Sequence, residues 1–148
     1  MKRNSHSKLF WVIVGLFIFI YPMFISIYVF LPLLIGGASY ILIEGVQREK
    51  SYYMFIALIY LINLEVNLSL PLFLTTISAF IFYITIYPNL KYFRICKVCQ
   101  HILSVILLDL FYLCAIFFFD FIFQTQSIVL DKILLYSLIV DILIVVAV

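Results

Sequence analysis

Apolar residues run along this chain in long unbroken blocks, and they do not alternate with polar residues as they do in an amphipathic strand. A helix that crosses the hydrocarbon layer of a bilayer needs about 20 mostly apolar residues. Four blocks reach or approach that length, at 52–68, 70–87, 102–123 and 133–148. A fifth block, 9–43, contains no charged residue and would extend about 52 Å as a single helix. This pattern predicts helices that span a membrane.

The positions of the basic residues predict that the fifth block crosses twice. Lysine and arginine fall in three clusters: Lys2, Arg3 and Lys8; Arg48 and Lys50; and Lys91, Arg94 and Lys97. Basic residues in short loops stay on the cytoplasmic side during insertion. All three clusters share that side only if 9–43 forms a hairpin, which leaves Lys132 outside. We therefore expect six spans with both termini cytoplasmic, at approximately 8–21, 24–43, 52–68, 70–87, 102–123 and 133–148.

Two prolines are candidates for the turn of the first hairpin. Pro22 follows Tyr21, and a proline interrupts a helix while tyrosine favours the membrane interface. The alternative is Pro32, which two glycines follow at 36 and 37. We place the predicted turn at Pro22 and keep Pro32 as the alternative.

The composition supports the same fold class. Hydrophobic residues make up 68% of the 148 positions and charged residues only 11%, with a mean hydropathy of +1.29. So few charges cannot cover the surface of a water-soluble domain, which argues against a soluble enzyme, a nucleic-acid-binding domain or a disordered linker. We predict an all-α integral membrane protein in which 1–148 forms a single polytopic helical bundle of about six transmembrane helices, with no soluble domain. Its partners would then be the lipid bilayer and other membrane proteins or a second copy of itself, and not nucleic acid.

Three aspartates fall inside predicted spans, where an ionisable group costs a few kcal/mol. Asp109 and Asp120 are eleven residues apart, which is about three helical turns, so both point the same way. Asp141 lies at the middle of the last span, and that helix is antiparallel to the helix that carries Asp109. The two mid-depth carboxyl groups can therefore face one another. The alternatives are a proton relay and a packing or partner contact made by protonated or hydrogen-bonded acids.

The segment 63–71 is the most polar interruption between two spans. We expect Glu65 at the external membrane interface, where it could bind a partner. The alternative is a simple turn in which asparagine, serine and proline satisfy the backbone.

Cys96 and Cys99 form a Cys-x-x-Cys pair with His101 close behind. Two thiolates and an imidazole are possible zinc ligands, and the neighbouring Lys97 favours the thiolate form. The alternative is a reduced, basic loop at the cytoplasmic surface that contacts anionic headgroups. Because a fourth ligand and other catalytic signatures are missing from the sequence, we predict no cofactor, no metal and no enzymatic activity.

The chain resembles the small multi-pass proteins of the MreD type, which belong to the bacterial rod-shape and cell-elongation machinery. The resemblance consists of the size, the six inferred spans, and a glycine-rich second segment that ends in an acid, followed by a Leu-Pro-Leu motif. The residues are Gly36, Gly37, Ile43, Glu44, Gly45, Leu70, Pro71 and Leu72. This resemblance implies a non-catalytic scaffold or interaction subunit in the bacterial inner membrane. The alternatives are a small proton-coupled transporter that uses the intramembrane aspartates, and a metal- or thiol-dependent membrane enzyme.

Overall fold

The computed structural model describes residues 3–28, 31–90, 92, 96–125 and 133–147. Over these ranges the regular structure is entirely helical, in agreement with the predicted all-α class. The seven helices are α1 (Arg3–Ile27), α2 (Ile35–Gln47), α3 (Ser51–Asn67), α4 (Leu74–Thr85), α5 (Tyr87–Leu90), α6 (Lys97–Phe123) and α7 (Ile133–Ala147).

The helices differ widely in length. Two segments, Leu9–Ile27 in α1 and Val98–Phe123 in α6, are long and apolar enough to cross a membrane. By contrast, α2 has 13 residues and α4 has 12. At 1.5 Å per residue these two helices are about 20 Å and 18 Å long, well below the roughly 30 Å of a hydrocarbon layer.

The predicted turn at Pro22 is wrong, because α1 continues through Pro22 as far as Ile27. The alternative position, Pro32, lies in the stretch between α1 and α2, and the helices of this block are Arg3–Ile27 and Ile35–Gln47 instead of 8–21 and 24–43. A proline has no N–H to offer the carbonyl four residues earlier, which here is that of Ile18. The side-chain amide of Asn63 in α3 supplies the missing donor, at 3.0 Å from that carbonyl oxygen.

The short helix α2 lies at the centre of the bundle. It packs against α3, α4, α6 and α7, and most of its residues are buried. The turn to α3 is tight, because a Cβ atom at Gly45 would lie 2.8 Å from the backbone nitrogen of Met54. Helix α2 is thus enclosed by these four helices.

Candidate functional site

The stretch that leads into α2 is not helical, and side chains from three other helices satisfy its backbone. The hydroxyl of Tyr21 donates to the carbonyl of Pro32 at 2.9 Å, and that of Tyr60 donates to the carbonyl of Leu33 at 3.0 Å. The backbone N–H of Leu33 donates to the hydroxyl oxygen of Ser137 at 3.1 Å. Contacts from α1, α3 and α7 thus fix the place where α2 begins.

Two aspartates meet at the first turn of α2. The N–H of Gly36 donates to Oδ2 of Asp141 at 3.0 Å. A Cβ atom at Gly36 would lie 2.6 Å from both carboxyl oxygens of Asp109, so only a glycine leaves room for that side chain. Asp141 is fully buried and Asp109 is 5% exposed. The structure therefore brings together two of the three aspartates that the sequence singled out.

Neither carboxyl group is fully satisfied. Oδ2 of Asp109 and Oδ1 of Asp141 are buried without a hydrogen-bond partner, and in the described part of the chain no ion pair involves them. The other titratable groups facing Asp141 are the hydroxyls of Tyr21 in α1 and Tyr60 in α3. A helix N-terminus contributes about half an elementary charge, which cannot balance two carboxylates in a low-dielectric interior. The pair therefore needs a bound proton or a bound cation.

A cavity of about 660 Å³ lies beside this pair. Its walls are mainly aliphatic and aromatic side chains of α1, α2, α3, α6 and α7, and Asp141 lines one end. Tyr40, Glu44, Arg48 and His101 line the other end. There the Tyr40 hydroxyl contacts Nδ1 of His101, and Arg48 pairs with Glu44 at 2.6 Å. An apolar pocket with a few convergent polar groups is the usual form of a small-molecule site.

Glu65 is not available to a partner, and the sequence-based expectation is wrong in this respect. The side chain is fully buried, and both its oxygens bind the start of α4. Oε2 accepts from the N–H of Phe73 at 2.7 Å. Oε1 accepts from the N–H of Thr75 at 2.7 Å and from its hydroxyl at 2.6 Å. Glu65 therefore caps α4 from a neighbouring helix.

Asp120 lies apart from the other two aspartates. It is half-buried near the end of α6, and its Oδ1 accepts a hydrogen bond from the hydroxyl of Thr125 at 3.0 Å. The eleven residues that separate it from Asp109 correspond to about 16 Å along the helix. The structure thus joins Asp109 to Asp141 and leaves Asp120 outside the buried pair.

The two cysteines lie at the start of α6. Both Cys96, which immediately precedes the helix, and Cys99 are exposed. A hydrogen bond from the backbone N–H of Cys99 lowers the pKa of the Cys96 thiol. His101 is engaged with Tyr40 instead, and no group of three or more metal-ligating side chains occurs among the described residues.

Sequence reasoning missed the roles of two residues, Gly36 at the start of α2 and Asn63 in α3. Gly36 had a signal, because two adjacent glycines follow Pro32 and lie inside an apolar block. The role of Asn63 as donor to the α1 backbone had none, since its partners are 44 and 45 residues away in the sequence.

A comparison with known protein families, characterised proteins and solved structures finds no match for this chain.

Proposed function

We propose that the chain is a multi-pass membrane protein in which proton or cation binding by Asp109 and Asp141 is coupled to the movement of a small molecule, as in a small proton-coupled transporter. The observation that carries this proposal is the pair of unpartnered carboxyl oxygens at the start of α2. Membrane carriers commonly build their sites from interrupted helices whose ends point at charged groups. An unpaired acid inside a membrane destabilises the folded chain by a few kcal/mol, which a function that uses the acid would explain.

The depth of the pair agrees with this proposal. Asp109 is twelve residues into α6, about 18 Å along a helix of about 40 Å, and Asp141 is eight residues into α7. Both therefore lie far from the helix ends. Hydrocarbon accepts non-helical backbone only where protein groups satisfy it. The hydrogen bonds that Tyr60 and Ser137 make to Leu33 meet that requirement.

The proposal includes a bacterial inner-membrane location with six crossing segments, contributed by α1, α2, α3, α4, α6 and α7. The short helices α2 and α4 are completed by the non-helical stretches that precede them. In this arrangement both termini and the basic segments near Arg48 and Lys97 lie on the cytoplasmic side. The turn between α3 and α4, which includes Ser69, lies on the outer side.

Thiol labelling in intact cells tests the orientation. In a chain that retains only Cys96, we expect no reaction with a membrane-impermeant maleimide until the cells are opened. Cys96 is exposed in the structure, so burial of the thiol within the protein does not explain protection. Ser69→Cys in a cysteine-free background is the matched control and labels in intact cells. Labelling of Cys96 in intact cells contradicts the orientation.

Reconstitution into vesicles tests the coupling. Proteoliposomes that contain the pH dye pyranine receive outward gradients of Na⁺, K⁺, an amino acid or an organic amine. We expect at least one gradient to accelerate the change in internal pH for the native chain. Asp109→Asn and Asp141→Asn abolish that acceleration, whereas Asp120→Asn retains it. Identical pH traces for the native chain and both buried-pair variants under every gradient contradict the proposed function.

A second candidate function is the scaffold or interaction subunit that the MreD-type layout implies. Its support is the exposed aromatic end of α6, where Phe118 and Phe121 are 70% and 85% exposed. Such a face is available to a helix of another membrane protein. Purification in mild detergent tests this function, because a scaffold is recovered with stoichiometric partners. Recovery of the lone chain under conditions that preserve known membrane complexes counts against it.

A further inference from the structure

We infer that the cavity beside α2 binds an elongated organic amine, with its ammonium group at Asp141 and its polar far end at Tyr40 and His101. This inference rests on the proposed function, because it names the class of molecule that uses the same carboxyl pair. It is supported by the shape of the cavity, by the oxygen of Asp141 that has no hydrogen-bond partner at one end, and by the Tyr40–His101 contact at the other end.

The negative charge at Asp141 favours a positively charged group at this end of the ligand. Asp141 lines the cavity and is fully buried, and its Oδ1 has no hydrogen-bond partner. The acid that faces it, Asp109, adds like charge, and the remaining titratable neighbours, Tyr21 and Tyr60, are neutral donors. An ammonium group offers three N–H donors and the positive charge that this end lacks. A carboxylate or phosphate ligand would instead add a further negative charge.

The length and the apolar walls of the cavity indicate the size and character of the rest of the ligand. Gly37 and Glu44 both line it, and seven residues of α2 separate them, which is about 10 Å along the helix. The walls between these positions are apolar and include Phe17, Ile56 and Ala57. A ligand therefore needs an apolar body of roughly that length. At its far end a neutral polar group meets Tyr40 and His101.

The route into the cavity lies between α1 and α7. Both helices contribute to its walls, and the backbones of their described residues do not approach closely, although the Tyr21 side chain of α1 interacts electrostatically with Asp141 and Tyr136 of α7. In a membrane this gap opens sideways, toward the hydrocarbon, which suits an amine that partitions into lipid. A lipid acyl chain in the same place would leave Oδ1 of Asp141 unpaired and would cost the desolvation of that oxygen.

Monodansylcadaverine is a suitable probe, because it joins a primary amine to an aromatic sulfonamide through a five-carbon chain. Its fluorescence changes on transfer from water to an apolar site, so binding to the full chain in nanodiscs is measured directly. N-acetyl-monodansylcadaverine is the matched neutral probe, and protein-free nanodiscs give the lipid background. We expect the amine to bind at least about tenfold more tightly than its acetylated form, a difference of about 1.4 kcal/mol.

Three variants assign that preference to the site. Asp141→Asn removes the preference for the amine, and Val145→Trp, which fills the cavity, weakens both probes. Asp120→Asn, outside the cavity, leaves the preference unchanged. Equal affinity for the two probes, or an amine preference that survives in Asp141→Asn, overturns the inference. If proton coupling depends on Asp109 and Asp141 while the probes bind equally, the proposed function stands and only the ligand class is wrong.

Discussion

Two short helices, α2 and α4, begin inside the bundle, and each receives a buried acid from another helix at its first turn. At α4 the single carboxylate of Glu65 accepts three hydrogen bonds, which use both its oxygens. At α2 two acids converge, and one oxygen of each has no hydrogen-bond partner.

The difference separates a structural acid from a candidate functional one. The Glu65 carboxylate uses both its oxygens to accept hydrogen bonds from the start of α4, and in this role it stabilises the fold. Two acids that share one helix end leave both charge and hydrogen-bonding capacity for something else to satisfy. Because the acids in both places are buried carboxyl groups, the count of donors is what distinguishes them.

The largest effect is expected at α4. Glu65→Ala leaves two backbone N–H groups and the hydroxyl of Thr75 without their acceptor, at about 1–3 kcal/mol for each unpaired group. We therefore expect the free energy of unfolding to fall by at least about 3 kcal/mol, as measured by denaturation in mixed micelles. Glu44→Ala is the control, because its exposed ion pair with Arg48 contributes less than about 1 kcal/mol. Equal losses of stability in the two variants would mean that Glu65 contributes no more to the fold than Glu44 does.

An intermediate effect is expected at Gly36. Gly36→Ala places a methyl group against both oxygens of Asp109, and such overpacking costs about 1–3 kcal/mol. Gly37→Ala meets Asp141 only at an ordinary contact of 3.5 Å and is the matched control. Since the clash involves Asp109, the double variant Gly36→Ala, Asp109→Ala recovers part of the loss. Additive losses in the double variant would mean that the acid is not held against the helix start.

The smallest effect has the opposite sign to that at α4. Asp109→Asn removes a charge and gives the neighbouring Asp141 an amide donor for its free oxygen, so we expect stabilisation of up to about 1 kcal/mol. Glu65→Gln, in contrast, weakens an acceptor of three hydrogen bonds and destabilises the chain. Unfolding curves of the two variants, measured under the same conditions, compare them directly. Destabilisation by both substitutions would make the two helix starts equivalent.

The sequence predicted the helical class and the approach of Asp109 to Asp141, because unbroken apolar blocks and isolated acids are local features of the chain. It misplaced the first hairpin turn, since α1 continues through Pro22 and another group donates to the carbonyl that the proline leaves free. The amide of Asn63 is that donor, and its approach to Ile18 depends on how α1 and α3 pack.

The same limitation explains the error at Glu65. The polar segment 63–71 indicated a turn at a surface, and a turn is present there. The structure, however, folds the first turn of α4 back over Glu65, and Phe73 takes a left-handed backbone conformation with φ 65° that directs its N–H at the carboxylate. No local pattern in the sequence encodes that approach.

Infrared spectroscopy of the chain in lipid tests the central claim most directly, namely that the Asp109–Asp141 pair holds a proton. With tetrapropylammonium, which carries no N–H donor, as the only buffer cation, a bound proton is the one hydrogen-bonding cation available to the pair. The account predicts a carbonyl band of a protonated carboxyl group at neutral pH that is present in the native chain and in Asp120→Asn. Asp109→Asn and Asp141→Asn each remove or shift that band. A native chain without the band, or a band that both variants leave unchanged, would contradict the account.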